Sequence, residues 1–224
     1  MATMRTYGDG CGIAHALDLV GERWALLVVR ELLLGPKRFT DLRDGLPNAS
    51  GNVLAQRLRE LEQAAIVRRR KLPPPAGSWV YELTGLGREL KPILIALGAW
   101  ALRSPFLPRG APVGNDSVIL ALGTFFDSDA ADDLSADYEL RLGENVFHVR
   151  IDDRRIELGR GAADQPDAVI ETDAGTLASV IWSDRELDDA LRAGAINLEG
   201  DRAAVNRLLG LFPQPEPAAS AATA

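Results

Sequence analysis

The chain has 224 residues, enough for one large or two small domains, and its 46% apolar and 25% charged content is that of an ordinary globular protein. No apolar leader opens it, and the longest nearly apolar run, Ile93 to Leu102, falls short of the roughly 20 residues of a membrane span, so a cytoplasmic protein with no membrane partner is expected. One cysteine, Cys11, excludes an intrachain disulfide and a multi-cysteine metal site, and with His15 and His148 far apart no metal or cofactor is expected.

The net charge of −7 is unevenly divided. Residues 1–105 carry 15 Lys+Arg against 10 Asp+Glu, a net +5, and residues 106–224 carry 10 against 22, a net −12. A basic half suited to phosphates is joined to an acidic half that phosphates would repel, which predicts two domains with different partners.

Cys11 to Val20 (CGIAHALDLV) places Ile13, Leu17 and Val20 on one helical face. Arg23 to Leu34 reads as a second helix, with Trp24, Leu27, Val28, Glu31 and Leu32 at near-helical spacing and Gly35-Pro36 as its stop. A short helix (Thr40 to Leu46), a turn at Pro47-Asn48 and a longer helix (Ser50 to Ala64, with Ser50 as N-cap) follow. Leu54, Leu58, Leu61 and Ala65 form the buried stripe of that longer helix, and Asn52, Gln56, Arg59 and Gln63 its opposite face. Ile66 to Leu72 and Trp79 to Leu83 then read as two strands around a tip at Pro73-Pro74-Pro75-Ala76-Gly77. Helix, turn, helix and ribbon in this order make a winged helix-turn-helix, which lays its second helix in a DNA major groove.

Asn and Gln can read adenine edges with paired hydrogen bonds, and residues near the helix N-terminus reach the bases, so Asn52, Val53 and Gln56 are the candidate base contacts. Ser50, Arg57 and Arg59, with Arg68, Arg69, Arg70 and Lys71 of the first strand, are the candidate phosphate contacts. Alternation puts Arg68 and Arg70 on one side of the ribbon and Arg69 and Lys71 on the other. Any solvated face carries such residues, but four cations in a strand beside a candidate recognition helix favour the phosphate reading.

Thr84 to Arg103 predicts one long helix with Leu86, Leu90, Ile93, Leu94, Leu97, Trp100 and Ala101 in a stripe, and Pro92 inside it as a kink or junction. That is more apolar surface than the small domain covers. A symmetric homodimer would bury it against its twin and the first helix; packing on the C-terminal half is the alternative.

Three blocks, CGIAHALDLVGERWALLVVRELLLGPKRFTDLRDGLP, LRELEQAAIVRR and YELTGLGREL, resemble in order and spacing the HxlR-type winged-helix transcriptional regulators, over residues 9–103. The resemblance implies a homodimeric DNA-binding regulator, usually a repressor, with Ser50 to Ala64 as recognition helix. The chain departs from the family's habit at Asn52, where lysine is frequent, at Ala55, where a hydroxyl is common, and at Ala76-Gly77-Ser78, where an arginine often follows the wing prolines. Those departures bear on the operator sequence. Cys11 matches an N-terminal cysteine that in some members senses oxidants, which makes it a candidate thiol sensor; an inert small hydrophobe is the plainer reading.

A Pro/Gly-rich linker (104–115) leads to a second domain (116–212), and Pro213 to Ala224 reads as a disordered tail. Asp116 to Asp127 suits either helix or strand. Tyr138 to Leu142 and Val146 to Ile151 form a hairpin around Gly143-Glu144-Asn145, followed by strands at Arg155 to Gly159 and Ala168 to Thr172. Helices at Ala174 to Trp182, Glu186 to Ala193 and Asp201 to Leu211, with a short strand at Ile196 to Glu199, complete an α+β fold, a sheet covered by helices. The ending LRAGAINLEGDRAAVNRLLGLF resembles the close of an SCP2-like (sterol carrier type) domain. That resemblance implies a cavity for an apolar small molecule, with Phe125, Phe126, Phe147, Leu177, Ile181, Trp182, Leu208, Leu211 and Phe212 as candidate walls; each equally suits an ordinary core.

Together these point to a regulator that binds a pseudo-palindromic double-stranded operator as a homodimer, with an apolar effector acting through the second domain. A carrier or adaptor using the winged helix for protein contacts is the alternative. An enzyme is not expected, because no nucleophile–His–acid set is visible.

Overall fold

A computed structural model describes residues 6–108, 110–183 and 185–214. The chain divides between Leu94 and Ile95 into two compact units.

The first unit begins with α1 (Gly12–Val20), whose apolar residues Ile13 and Leu17 stay exposed, and α2 (Ala25–Leu32), which buries Val28, Val29 and Leu32. α3 (Phe39–Gly45) starts where the Asp41 carboxylate accepts from the Arg38 backbone N–H at 3.0 Å. α4 (Gly51–Gln63) is capped by Ser50, whose Oγ accepts from the Val53 N–H. Leu54, Leu58 and Leu61 of α4 are at most 1% exposed and meet Val28, Val29, Leu42 and Ile66 in one core. β1 (Val67–Lys71) and β2 (Trp79–Leu83) form the antiparallel wing, with Arg68 opposite Glu82 and Arg69 opposite Tyr81.

Three expectations need correction. Ala65 does not continue the buried stripe: the helix ends at Gln63, and Ala65 is exposed in the left-handed region at φ 55°. Its neighbour Ile66 returns an N–H to the Leu61 carbonyl at 2.9 Å, a helix stop that usually employs glycine. The long helix expected from Thr84 is two, α5 (Gly85–Arg88) and α6 (Leu90–Leu102), broken at Glu89. Pro92 lacks the N–H that would bond the Arg88 carbonyl four residues back, so the break falls one turn before it. Glu31, counted with the apolar stripe of α2, is buried at 1% exposure because it pairs with Lys37 and Arg30.

Thr84 locks the base of the wing. Its Oγ donates to the Ala65 carbonyl at 2.6 Å and accepts from the Gly87 N–H, capping α5. Gly87 lies so close to the Ile66 carbonyl that a Cβ there would collide with it.

The second unit is α+β. α7 (Asn115–Phe125) resolves the ambiguous stretch as a helix. A five-stranded sheet follows in the order β5-β4-β3-β6-β7, built from β3 (Ala136–Leu142), β4 (Asn145–Asp152), β5 (Arg155–Arg160), β6 (Ala168–Thr172) and β7 (Asn197–Gly200). β3 and β6 are parallel and the other neighbours antiparallel. Helices α7, α8 (Ala174–Trp182), α9 (Leu187–Arg192) and α10 (Arg202–Leu209) accompany it. The buried residues of β3 and β4, among them Tyr138, Leu140, Phe147, Val149 and Ile151, alternate with polar ones. The Tyr138 hydroxyl donates to the Ala204 carbonyl of α10 at 3.0 Å, tying sheet to helix. From residue 215 onward, the tail expected as disordered lies outside the described residues.

Candidate nucleic-acid interface

The capped start of α4 presents Asn52 and Val53 to solvent, one turn from Gln56. Gln56 is half-buried and engaged at both ends of its amide: Nε2 donates to Glu60 Oε1 and Oε1 accepts from Arg59 Nη2, each at 2.6 Å. Arg59 is exposed, and Ser50 spends its Oγ on the helix cap.

Arg57 is the clear departure from the expected set. Its side chain is only 14% exposed and pairs with Glu60 on the same helix and with Glu22 between α1 and α2. It lines a cleft of about 650 Å³ with Tyr7, Leu17, Asp18 and Gln63 on the α1 side of α4. A guanidinium held there by two carboxylates links the helix to the segment between α1 and α2, and its charge is already paired.

The wing carries its cations on two sides, as alternation requires. Arg68 and Arg70 both bind Glu82, while Arg69 lies over the aromatic rings of Trp79 and Tyr81 on the other side. Lys71 is exposed near the tip. Glu82 and Trp79 were not singled out from the sequence; the ribbon register, which sets Arg68 against Glu82 and Lys71 against Trp79, is the signal that identifies them.

Cys11 is exposed at the N-terminal end of α1. No formal cap hydrogen bond forms, but the backbone N–H groups of Ala14, then Ile13, outweigh a small effect of burial and lower the thiol's pKa below its ordinary value.

The candidate cavity walls fall into separate groups in the second unit. Phe125 meets Trp182 edge to face at 6.0 Å between centroids, and Phe126 meets Phe212 at 6.3 Å. Phe147, Leu177, Leu208, Leu211 and Phe212 are buried, whereas Phe125, Phe126, Ile181 and Trp182 are half-buried. The Trp182 Nε1 is buried without a hydrogen-bond partner. An open cleft in this unit is lined instead by Ala130 to Ser135 with Asn206, Arg207, Gly210 and Leu211, so Leu211 alone of the nine borders it.

No helix among the described residues is long and apolar enough to cross a membrane. Among the described residues no group of three His, Cys, Asp or Glu could hold a metal ion.

Comparison with known proteins also separates an N-terminal from a C-terminal part. The HxlR-like helix-turn-helix family matches residues 19–105, and the alkyl sulfatase C-terminal family matches residues 115–219. The uncharacterized HTH-type transcriptional regulator YvaP of Bacillus subtilis (strain 168) is 42% identical over 86 residues, which span 38% of this chain and 80% of YvaP. YodB of the same organism, also an HTH-type transcriptional regulator, is 41% identical over 86 residues, 38% of this chain and 77% of its own length. A crystal structure of quinone-bound YodB aligns with 40% of this chain and 93% of its own, at 37% identity and a TM-score of 0.35. With four-fifths of YvaP spanned at that identity, the chain belongs to the HxlR-like helix-turn-helix family.

Proposed function

We propose that the protein is a DNA-binding transcriptional regulator, a repressor acting as a homodimer on a pseudo-palindromic operator. The observation that carries this reading is one unit in which a capped helix exposes Asn52 and Val53 at its N-terminal end and leads directly into a ribbon bearing Arg68, Arg69, Arg70 and Lys71. YodB, related over this region, is an HTH-type transcriptional regulator, and the uncharacterized YvaP is described as one of the same type. In this reading Asn52, Val53 and Gln56 contact bases, and Ser50, Arg59 and the four wing cations contact phosphates. Gln56 would exchange its bonds to Glu60 and Arg59 for a base edge.

Dimerisation is supported by apolar stripes without cover. Ile13 and Leu17 of α1 are 74% and 45% exposed, and Ile93, Leu97 and Trp100 of α6 recur at i, i+4 and i+7 with 58%, 44% and 71% exposed. Such surface on a protein of this size is ordinarily an interface.

The second domain is proposed as an SCP2-like effector domain for an apolar small molecule. Its support is the α+β sheet with its helices, the aromatic pairs Phe125–Trp182 and Phe126–Phe212, and the unpartnered indole N–H of Trp182, a donor suited to a polar end of such a molecule. The effector would act by its unequal affinity for the DNA-competent and DNA-incompetent dimers.

Fluorescence anisotropy with labelled duplex tests the core of the proposal. Replacing Arg68, Arg69 and Arg70 together with alanine should weaken binding and flatten the slope of log affinity against log salt by about 0.9 per phosphate no longer bound. A triple variant indistinguishable from wild type in both would favour the adaptor reading.

A further inference from the structure

Glu82 is the one acidic residue in the two wing strands. Its carboxylate lies between two arginines: Arg68 donates to Oε1 through Nε at 2.7 Å and Nη2 at 2.6 Å, and Arg70 Nε donates to Oε2 at 2.6 Å. The register produces this arrangement, because Arg68 faces Glu82 across the ribbon and Arg70 is its diagonal neighbour on the same side. The Glu82 side chain is 12% exposed while Arg68 and Arg70 are 63% and 40% exposed, so the carboxylate is sheltered and the guanidiniums face solvent. Burial alone would raise the Glu82 carboxyl, but the bonds from Arg70 and Arg68 and their charges more than offset it and hold its pKa below the ordinary value.

We propose that Glu82 is a positioning residue that sets how selectively the wing engages DNA, by cancelling one of the two positive charges on that side and holding both guanidiniums in place, Arg68 through two N–H groups and Arg70 through Nε. The proposal rests on the DNA-binding reading above and assigns a role within it. Non-specific attraction to a duplex scales with the cations free to displace counterions. Arg68 and Arg70 are not free: a phosphate out of line with their forks must draw them off a carboxylate. A phosphate that lies where the guanidinium N–H groups not used by Glu82 already point meets pre-ordered donors and loses little side-chain entropy in binding them. The wing therefore favours a duplex of matching backbone course over an arbitrary one, without touching a base.

The test compares wild type, Glu82→Gln and Glu82→Asp on two duplexes across a salt series: one of random sequence and one recovered by in vitro selection with the wild-type protein. Thermal melts confirm that each variant is folded. Glu82→Gln is expected to bind the random duplex several-fold more tightly, to steepen its salt slope by about 0.9 for each additional phosphate neutralised, and to narrow the gap between the two duplexes. Glu82→Asp keeps the charge but lacks the reach to hold both arginines, so it should match wild type on the random duplex and lose affinity for the selected one. A folded Glu82→Gln that binds the random duplex no better than wild type overturns the proposal, as does Glu82→Asp behaving like Glu82→Gln. Failure of the DNA-binding reading itself shows separately, as wild-type protein that binds neither duplex.

Discussion

The guanidinium carbon of Arg69 lies 4.6 Å from the centre of the Trp79 ring, across the wing from the Glu82 cluster. Trp79 is half exposed, so this stacking restrains the arginine while leaving it open to a ligand. A cation over an exposed ring gains about 0.5–1 kcal/mol, which converts to a two- to fivefold effect if the ordered side chain is the one that binds. Trp79→Ala should therefore weaken duplex binding two- to fivefold with little change in salt slope, because no charge is removed. Trp79→Phe should restore most of the loss. Anisotropy titrations at two salt concentrations check both.

Arg57 and Arg59 stand two positions apart in α4 with opposite expected behaviour. Arg57 is held by Glu60 and Glu22 in the cleft beside α1, whereas Arg59 is exposed. Arg57→Ala removes a largely buried side chain and leaves the half-buried Glu60 without its partner, and should cost about 1 kcal/mol of stability, seen as a lower denaturation midpoint. Its salt slope for duplex binding should stay that of wild type. Arg59→Ala should do the reverse, leaving stability nearly unchanged and flattening the slope by about 0.9.

Ala65 occupies the left-handed position that closes α4. An L-residue there bears a steric cost of roughly 1–2 kcal/mol that glycine avoids, although glycine gives back part of this in chain entropy. Ala65→Gly should raise stability by about 0.5–1 kcal/mol, measured as a shift in the thermal midpoint, without altering DNA affinity.

Tyr138 links the second unit to alkaline pH. Burial, with nearby Asp167 and Asp201 adding to it and Arg207 opposing it, pushes its hydroxyl up to about 12. The folded state thus favours the neutral phenol, and this contribution is complete below the unfolded value of about 10 and lost as pH rises toward 12. Stability of wild type should fall between those limits, while Tyr138→Phe should be destabilised by about 1 kcal/mol at neutral pH through the lost bond to Ala204 and show a shallower alkaline decline. Denaturant melts at about pH 7 and about pH 11 distinguish the two.

Much of the architecture was legible because local chemistry and tertiary packing agree. Leu54, Leu58 and Leu61 recur at helical spacing behind a serine cap, and they are the residues that the core takes up. The wing strand Trp79–Leu83 and the second unit's β6 and α8 have the bounds that their alternation and periodicity predict. The burial and pairing of Arg57 were hidden because its partner Glu22 comes from a turn far earlier in the chain, which no helical wheel of α4 contains. Ala65 was misplaced because α4 is stopped by bonds from Ile66 and Thr84, with no breaker residue to announce it. The parallel pairing of β6 with β3 was equally hidden, since strands separated by two others in sequence meet only through the completed sheet.

The joint at Thr84 also has a mechanical meaning. One hydroxyl fastens the far end of α4 to the beginning of α5, and the missing side chain of Gly87 lets the two backbones press together with no cushion between them. The end of α4, the wing base and the start of α5 are thereby clamped at one point, and a side chain at residue 87 would have to push the Ile66 carbonyl away and open that clamp.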